Sequence, residues 1–486
     1  MAKVTIDGAE VEVKDGLNII EAAKAADIHV PHFCYHPSLT VVGQCRMCLV
    51  EVEGMPKLQA GCSTNVKDGM KIHVWNEKVD KARRGQMEFL LINHPLDCPI
   101  CDKAGECPLQ DYSFNYGSVE SRYGEFKRTY PGMDRTAIGP HVVQNMNRCI
   151  HCTRCIRFCQ EITGTSELAF FKRGASTEVG VFAGTPLDNW MSACVADVCP
   201  TGALTTREFR FESRVWNLDS TESVCNGCDV GCNMFIGHRN GQVFRYRPRE
   251  NPDVNDHWLC DYGRFSYERY DTDRVVVPKV RNDDGYLGIA TWNEALDAIE
   301  KALRPAEKVV AIASANMTNE EARVAKSLFE GVGARVGLTV DPIDPIRMKS
   351  RTEWLVGTQA APNYRGVAAI VGENEIPSMD GIDVLYICDA DFSQRTKDPA
   401  FIASLRKAKF LIVHSWDANH PLNEVADVLL PATIHVEKEG SYTNLQGRVQ
   451  EIHAAYPPKG QAIPDVEIFA RVAARVLSEE RVAAGA

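Results

Sequence analysis

The sequence is poor in everything that would tie a protein to a membrane or to nucleic acid. No apolar run approaches the roughly 20 residues that cross a bilayer; the densest, VVAIASA at 309–315, has the length of a strand. Positive charge is in deficit, with 54 lysines and arginines against 65 aspartates and glutamates and a formal net charge of −11. That balance argues against nucleic acid or an anionic lipid face as the main partner. The N-terminus, MAKVTIDGAEVEVKDG, alternates charge with apolarity and does not read as a signal peptide. A cytoplasmic or equally reducing location is expected, with no membrane insertion. Nucleotide signatures are missing too: there is no Walker loop and no H-E-x-x-H. GVGARVG at 331–337 follows a helical segment with the wrong spacing for G-x-G-x-x-G, so it reads as a helix end. The chain is expected to bind neither NADH nor flavin itself.

What the sequence has in excess is cysteine, and only in its first part. Seventeen of 18 cysteines lie between Cys34 and Cys260; Cys388 alone lies beyond. A secreted disulfide framework has no reason for repeated C-x2-C pairs, whereas clustered thiols in a reducing compartment point to metal. The hydrophobic and charged fractions, 44% and 24%, are those of soluble globular protein, and 486 residues call for several domains.

The first cysteine group follows a small fold. KVTIDGAEVEV is a strand, an Asp7-Gly8 turn and a second strand, with Val4, Ile6, Val11 and Val13 alternating; LNIIEAAKAA is a helix. A hairpin crossed by a helix is the start of a β-grasp ferredoxin. Cys34-x10-Cys45-x2-Cys48-x13-Cys62 then supplies four thiolates for a [2Fe–2S] cluster, with Gly43 permitting close backbone approach. The first gap is longer than in the plant-type pattern, and a zinc ribbon is the alternative. The second group, His94-x3-Cys98-x2-Cys101-x5-Cys107, follows a helix, EKVDKARRGQMEFLLIN, expected to stop around His94-Pro95. On spacing alone it fits a zinc site of three cysteines and one histidine or a [4Fe–4S] site equally, with His94 a ligand or a bystander.

The third group is the bacterial ferredoxin run, Cys149-x2-Cys152-x2-Cys155-x3-Cys159. In that run the fourth cysteine precedes proline and serves a second cluster. Here Gln160 follows Cys159, while Cys199 precedes Pro200 and the matching second triplet is replaced by Asn189, Ser192 and Val195. One cluster is therefore lost, and Cys149, Cys152, Cys155 and Cys199 are expected to hold the survivor as [4Fe–4S]. Cys159 is left without a ligand role and Cys194 is structural. Arg148, Arg154 and Arg157, interleaved with these ligands, read either as aids to reduction or as solvated surface charges. The fourth group, Cys225-x2-Cys228-x3-Cys232-x27-Cys260, is a further [4Fe–4S] candidate, with Gly227 and Gly231 letting backbone amides approach the sulfurs and a four-cysteine zinc site as the alternative. Four sites in one chain have an obvious use as a relay of one-electron carriers.

Taken in order, the first group, HPLDCPICDKAGECPLQD, NRCIHCTRCIRFCQE, CPTGAL and the C-x2-C-x3-C group resemble the large iron–sulfur subunit family of respiratory complex I, the G-type chains of NADH-quinone oxidoreductase. The resemblance is specific over residues 1–275 and resumes in ADVLLPATIHVEKEGSYTNLQGRVQ at 426–450, which is similar to the family's molybdopterin-oxidoreductase-like region. It implies that His94 ligates a [4Fe–4S] cluster, so the chain would carry one [2Fe–2S] and three [4Fe–4S] clusters. It also implies a flavoprotein partner that oxidises NADH with FMN, and quinone-side iron–sulfur subunits. Electrons would pass from the Cys34 site to the Cys149 site, then the His94 site, with the Cys225 site off the line. The whole complex would couple this transfer to proton translocation, and the chain would sit on the cytoplasmic side in the peripheral arm of that complex, attached to the inner (plasma) membrane. A neutral imidazole in place of a thiolate would make the His94 cluster easier to reduce.

The fold class is expected to be multidomain α+β and α/β: a β-grasp ferredoxin at 1–78, a segment carrying the histidine and three cysteines of the second group at 79–118, a bacterial-ferredoxin-like segment at 119–217, a further [4Fe–4S] segment at 218–275, and a shortened α/β region at 276–486. In the last, strands KVVAIASA, VLYIC and FLIVHS alternate with helices TNEEARVAKSLFEGVG, opened by a Thr318/Glu321 capping box, and PAFIASLRKA. That pattern reads as a Rossmann-like parallel sheet. Cys388 falls inside a buried strand, so no molybdopterin is expected. Two other readings share part of the pattern: the diaphorase arm of an NAD-linked hydrogenase or formate dehydrogenase, and a non-catalytic zinc scaffold.

Overall fold

A computed structural model describes residues 1–270, 273–343, 355 and 357–477. The described chain forms two compact units, one running to Leu218 and the other starting at Asp219.

In the first unit, β1 (Ala2–Ile6) and β2 (Ala9–Val13) make an antiparallel hairpin. Its turn needs left-handed backbone at both corner residues, and Asp7 and Gly8 supply φ of 47° and 87°. Helix α1 (Ile19–Ala25) is capped by Asn18, whose side chain accepts the Glu21 N–H. Strands β3 (Leu49–Val52), β4 (Gln59–Ala60) and β5 (Lys71–His73) complete a five-stranded sheet in the order β2-β1-β5-β3-β4. The β1–β5 pair is parallel; β3 runs antiparallel to β5 and β4. Val4, Ile6, Ile19, Val50 and Ile72 form its core.

Helix α2 (Glu77–Leu91) ends with Ile92 as its C-cap, just before His94-Pro95 as the proline predicts. Beyond it, α3 (Pro108–Tyr116) precedes short strands β6 (Thr136–Ala137) and β7 (Val142–Gln144). One turn of helix, α4 (Arg154–Arg157), runs straight into a π-helical turn at Phe158–Thr163. The hairpin β8 (Leu168–Phe171) and β9 (Glu178–Val181), helix α5 (Cys194–Val198) and β10 (Leu204–Thr206) follow, with β10 pairing β7.

The second unit opens with an antiparallel sheet, β11 (Asp219–Val224), β12 (Asn233–Arg239) and β13 (Gln242–Pro248), then the short α6 (Asp261–Arg264). Its main body is a seven-stranded sheet. Along the chain come β14 (Lys279–Arg281), β15 (Leu287–Ile289), α7 (Trp292–Leu303), β16 (Val309–Ser314), α8 (Asn319–Gly331) and β17 (Arg335–Thr339). They are followed by α9 (Tyr364–Val371), β18 (Val384–Ile387), α10 (Pro399–Leu405), β19 (Phe410–Ser415) and β20 (Val428–Pro431). A hairpin of β21 (Gly440–Thr443) and β22 (Val449–Ile452) and the helix α11 (Asp465–Val476) close the unit.

The strand order is β15-β14-β20-β19-β18-β16-β17, with β17 through β20 parallel and β14 antiparallel at the side. Both faces are covered, which is why VVAIAS reads as an unbroken apolar run. Ala311, Ala313, Tyr386, Ile412 and Leu430 face Leu328, Phe329 and Phe469 of α8 and α11; Val310, Ile312, Leu385, Val413 and Leu429 face Phe392 and Leu405. The Thr318–Glu321 capping box forms, and α8 ends at Gly331 with Gly333 at φ 67°, so GVGARVG is a helix end. Cys388 is buried as expected but does not fall inside the strand: β18 ends at Ile387, and Cys388 follows it in the bend that leaves the sheet.

Candidate iron–sulfur sites

The first group is held by irregular backbone between α1 and β3, together with the turn after β4. Gly43 and Arg46 take left-handed φ of 60° and 55°, which curls the loop. Gly43 serves this turn, and the nearest side-chain atom to where its Cβ would stand is Ser63 Oγ at 3.9 Å. The Cys34 N–H donates to Cys45 Sγ and the Cys45 N–H to Cys34 Sγ, each at 3.5 Å. The thiols form two hydrogen-bonded pairs, Cys34 with Cys45 and Cys48 with Cys62. In each pair one thiol is held down by its partner's hydrogen bond, Cys34 by Cys45 and Cys62 by Cys48.

The third group surrounds a cavity. Cys149, Cys152, Cys155 and Cys199 all line it, with Ile150, Val179, Ala203 and Leu204 as an apolar wall. The loop that brings them there needs left-handed residues at His151 (φ 53°) and Thr153 (φ 65°), and the His151 N–H points at Cys149 Sγ, 3.3 Å away. Burial pushes the Cys149, Cys152 and Cys155 thiols up, Cys152 to about 11, and the neighbouring sulfurs push each of them further. Cys159 does not line the cavity. Its thiol, raised first by burial and then by Glu167, lies beside Glu167 and Cys194.

The second group lies against the third. Cys107 Sγ–H donates to the Pro200 carbonyl at 3.6 Å. A Cβ on Gly202 would stand 2.3 Å from Cys101 Sγ, so only glycine fits there. Arg148 pairs with Asp97 at 2.7 Å, and its charge acts on the Cys98 and Cys101 sulfurs. His94 is near the same two side chains: burial lowers its pKa to about 4, with smaller effects from Asp97 and Arg148. A neutral imidazole is the form that binds metal, and His94 Nδ1 is buried with no hydrogen-bond partner among the described residues.

The fourth group lies in the β11–β12 loop and at the start of α6, and all four of its cysteines are buried. The Gly227 N–H reaches Cys225 Sγ at 3.4 Å, and the Gly263 N–H reaches Cys260 Sγ at 3.3 Å. Gly227 thus does what its position suggests. At Gly231 a Cβ would meet Gln450 Nε2 at 2.6 Å, so this glycine also admits a side chain from β22. The Cys225, Cys228 and Cys260 sulfurs all act on Cys232, which burial has already raised well above the thiol range.

Among the described residues no three His, Cys, Asp or Glu side chains stand as a ready-made metal site. The thiols of each group are gathered within electrostatic reach of one another, and those of the first group are turned toward hydrogen bonds among themselves. The donor sets fit iron–sulfur chemistry in kind: thiols in fours with backbone N–H groups aimed at sulfur, and one unpartnered imidazole nitrogen. Two of the three interleaved arginines correct one reading. Arg148 and Arg157 are 4% and 5% exposed, so they are not solvated surface charges. Gly202, Gly263 and Asp97 were not singled out in the sequence; for Gly202, the signal available was its place three residues after the displaced Cys199.

Sulfur-rich loops on ferredoxin-like modules, joined in one chain to an α/β sheet unit, define a multidomain oxidoreductase component of the iron–sulfur class. Family comparison agrees segment by segment: the 2Fe-2S iron-sulfur cluster binding domain matches residues 1–77, and the NADH-ubiquinone oxidoreductase-G iron-sulfur binding region matches 83–122. The NADH-quinone oxidoreductase subunit 3, ferredoxin-like domain, matches 139–205, the NDSU1/NuoG-like 4Fe-4S domain 218–268, and the molybdopterin oxidoreductase family 274–372 and 365–475. The chain belongs to the NADH-quinone oxidoreductase G-subunit family, the large iron–sulfur subunits of complex I. The NADH-ubiquinone oxidoreductase 78 kDa subunit of Candida albicans is 42% identical, covering 98% of this chain and 82% of its own length. The corresponding NADH-quinone oxidoreductase G-subunit of Rickettsia felis is 43% identical over 69% of this chain and 50% of its own. The chain thus spans about half the length of the first curated relatives it matches. An NAD+-reducing [NiFe]-hydrogenase structure in the H2-reduced state is 30% identical over 44% of this chain and 91% of its own, at a TM-score of 0.39. No helix among the described residues is long and apolar enough to cross a membrane.

Proposed function

We propose that the chain is the iron–sulfur electron-transfer subunit of an NADH:quinone oxidoreductase, relaying electrons from an NADH-oxidising FMN subunit toward quinone while the whole complex translocates protons. Its partners are then that flavoprotein and quinone-side iron–sulfur subunits, and its place is the cytoplasmic peripheral arm of a membrane-attached complex. Family membership supports this reading, and one observation carries it: Cys149, Cys152, Cys155 and Cys199 share a cavity that Cys159 does not line. A structural zinc module has no reason to break a ferredoxin run and recruit a cysteine 44 residues after Cys155, whereas a chain that has lost one of two clusters does.

The ligand sets we propose are Cys34, Cys45, Cys48 and Cys62 for one [2Fe–2S] cluster, and three [4Fe–4S] sets. Those are His94 with Cys98, Cys101 and Cys107; Cys149, Cys152 and Cys155 with Cys199; and Cys225, Cys228 and Cys232 with Cys260. Bound there, the clusters supply reversible one-electron chemistry. The chain's own part is to hold the donors, bury them and set the charge around them. Arg148, paired with Asp97, places its charge beside the sulfurs of the His94 set, and the buried neutral His94 lowers the negative charge of that set.

We read residues 1–78 as a β-grasp domain from the parallel β1–β5 pair with α1 across it, and divide the rest at 118, 217 and 275. The last segment, 276–486, runs past the described residues; we read it as Rossmann-like from its parallel strands, and as working without molybdopterin. The crevice at the carboxyl ends of β16, β18, β19 and β20 is lined by Trp416, His435, Lys438, Tyr442 and Asp465, together with Cys388, which lies one residue past β18 and also packs in the core.

Iron and acid-labile sulfide analysis of the anaerobically reconstituted chain, with low-temperature paramagnetic resonance, tests the reading. One binuclear and three tetranuclear centres are expected; a colourless, zinc-loaded protein would overturn it. His94→Cys should keep its centre and lower that centre's potential, since an anionic ligand replaces a neutral one. Without partners the chain should not reduce ferricyanide with NADH.

A further inference from the structure

We propose that Arg157, seconded by Arg154 one turn earlier, is the positioning residue that couples the Cys34 site to the Cys149 site: a permanent buried cation that ties both ligand loops and sets both potentials together. The proposal rests on the iron–sulfur reading of those two cysteine groups.

The contacts are specific. Arg157 donates to the carbonyls of Cys34 and Thr40 on the first loop. It also donates to the Cys152 carbonyl on the third loop at 3.4 Å, and its Nε–H reaches Thr153 Oγ1 at 3.1 Å. One guanidinium therefore grips a proposed ligand residue of each site. Arg154 repeats the pattern, donating to the carbonyl of Tyr35, next to Cys34, and at 3.3 Å to that of Val198, next to Cys199. The Gln44 side chain adds a third tie, to the His151 carbonyl at 2.9 Å.

Every hydrogen-bond acceptor of Arg157 is neutral. The acid on the following π-helical turn, Glu161, is committed to Thr40, accepting its N–H at 2.8 Å and its hydroxyl at 2.5 Å. Arginine does not lose its proton in a protein, and a buried cation without a carboxylate is costly unless other negative charge compensates it. The thiolate-ligated sites on either side are that charge. An electron added to either site makes it more negative and is stabilised by the same cation, so the two potentials are raised together. Lysine would keep the charge but not the fork that spans both loops.

The test is a redox titration of the reconstituted full chain, followed by the paramagnetic signals of the centres in wild type, Arg157→Gln and Arg157→Lys. In Arg157→Gln the reduced-to-oxidised ratio at fixed potential should fall about tenfold for both the Cys34 and the Cys149 centres. The His94 centre should stay within a factor of about two. In Arg157→Lys both ratios should stay near wild type, while the magnetic interaction between the two centres changes as the loops lose their common tie. Unchanged ratios in Arg157→Gln with both signals present would overturn the proposal, as would a shift confined to one centre. If Arg157→Gln assembles no centres, Arg157→Lys decides: wild-type ratios uphold the proposal, and a joint fall despite the retained charge overturns it. A wild-type chain with no centres at all would instead remove the iron–sulfur reading itself.

Discussion

Residues 1–218 and the seven-stranded sheet of the second unit solve the problem of burial in different ways. The sheet has two apolar faces, each packed against helices or loops, and its strands need nothing but side chains to hide. In the first unit the cysteines are themselves core. Cys48 and Cys62 belong to the cluster under the five-stranded sheet, and Cys107 packs with Phe33, Met47 and Met87. Between α2 and α3 the regular structure is a single turn at Cys98–Ile100. The contrast shows that one part of the molecule is stabilised by hydrocarbon, and the other is organised by its sulfur donors.

The largest effect should come from stripping iron from the loaded chain with a chelator. Hydrogen exchange should become fast across 93–107 and 149–163, while 309–314, 384–387 and 410–415 stay protected. Equal loss in both regions would erase the contrast. The reverse experiment is Phe469→Ala, which empties a fully buried position between Phe329, Tyr386 and His414. It should cost about 3–5 kcal/mol in denaturant unfolding of the second unit and leave the iron content of the first unchanged.

Gly202→Ala should act more locally. Its methyl would displace Cys101 Sγ, so the His94 centre's signal should disappear while that of the Cys34 centre persists. Cys155→Ser and Cys159→Ser sharpen the same region: the first should abolish the Cys149 centre and the second leave its spectrum intact. The smallest effect is that of pH. Burial lowers His32 to about 4 and His435 to about 3, so the folded chain binds fewer protons than the unfolded chain below about 6.5. Stability is therefore full above that pH and falls as pH drops toward 4, by at most about 1.4 kcal/mol per pH unit for each histidine. His32→Gln and His435→Gln would assign the loss to the first and second units separately.

Legibility follows the same divide. The strands Val309–Ser314 and Phe410–Ser415 and the Thr318 cap lie where the sequence puts them, because two-sided burial and capping are local signals. β11 and β13 were not read, since DSTESV and QVFRYRP carry charge on their exposed positions and little apolar alternation. At the sites, the broken ferredoxin run singled out Cys199 over Cys159 because ligand spacing is chemistry written in order, and Cys199 does line the cavity with Cys149, Cys152 and Cys155 where Cys159 does not. The burial of Arg148 and Arg157 was not legible. Whether a basic residue between ligands meets water or a neighbouring loop depends on pairing over more than 100 positions, as in the Arg157 bond to the Cys34 carbonyl. The contact of Gly231 with Gln450 was not legible for the same reason, its partner lying in a distant hairpin.

The stretch Cys199–Gly202 has a last consequence. Cys199 lines one cavity, the Pro200 carbonyl takes a hydrogen bond from Cys107, and Gly202 yields its space to Cys101. Three residues within a stretch of four thus serve two neighbouring sites. A shift of this short stretch as a whole would therefore be felt at two adjacent stations at once, whereas a change of one side chain within it reaches first the station that side chain touches.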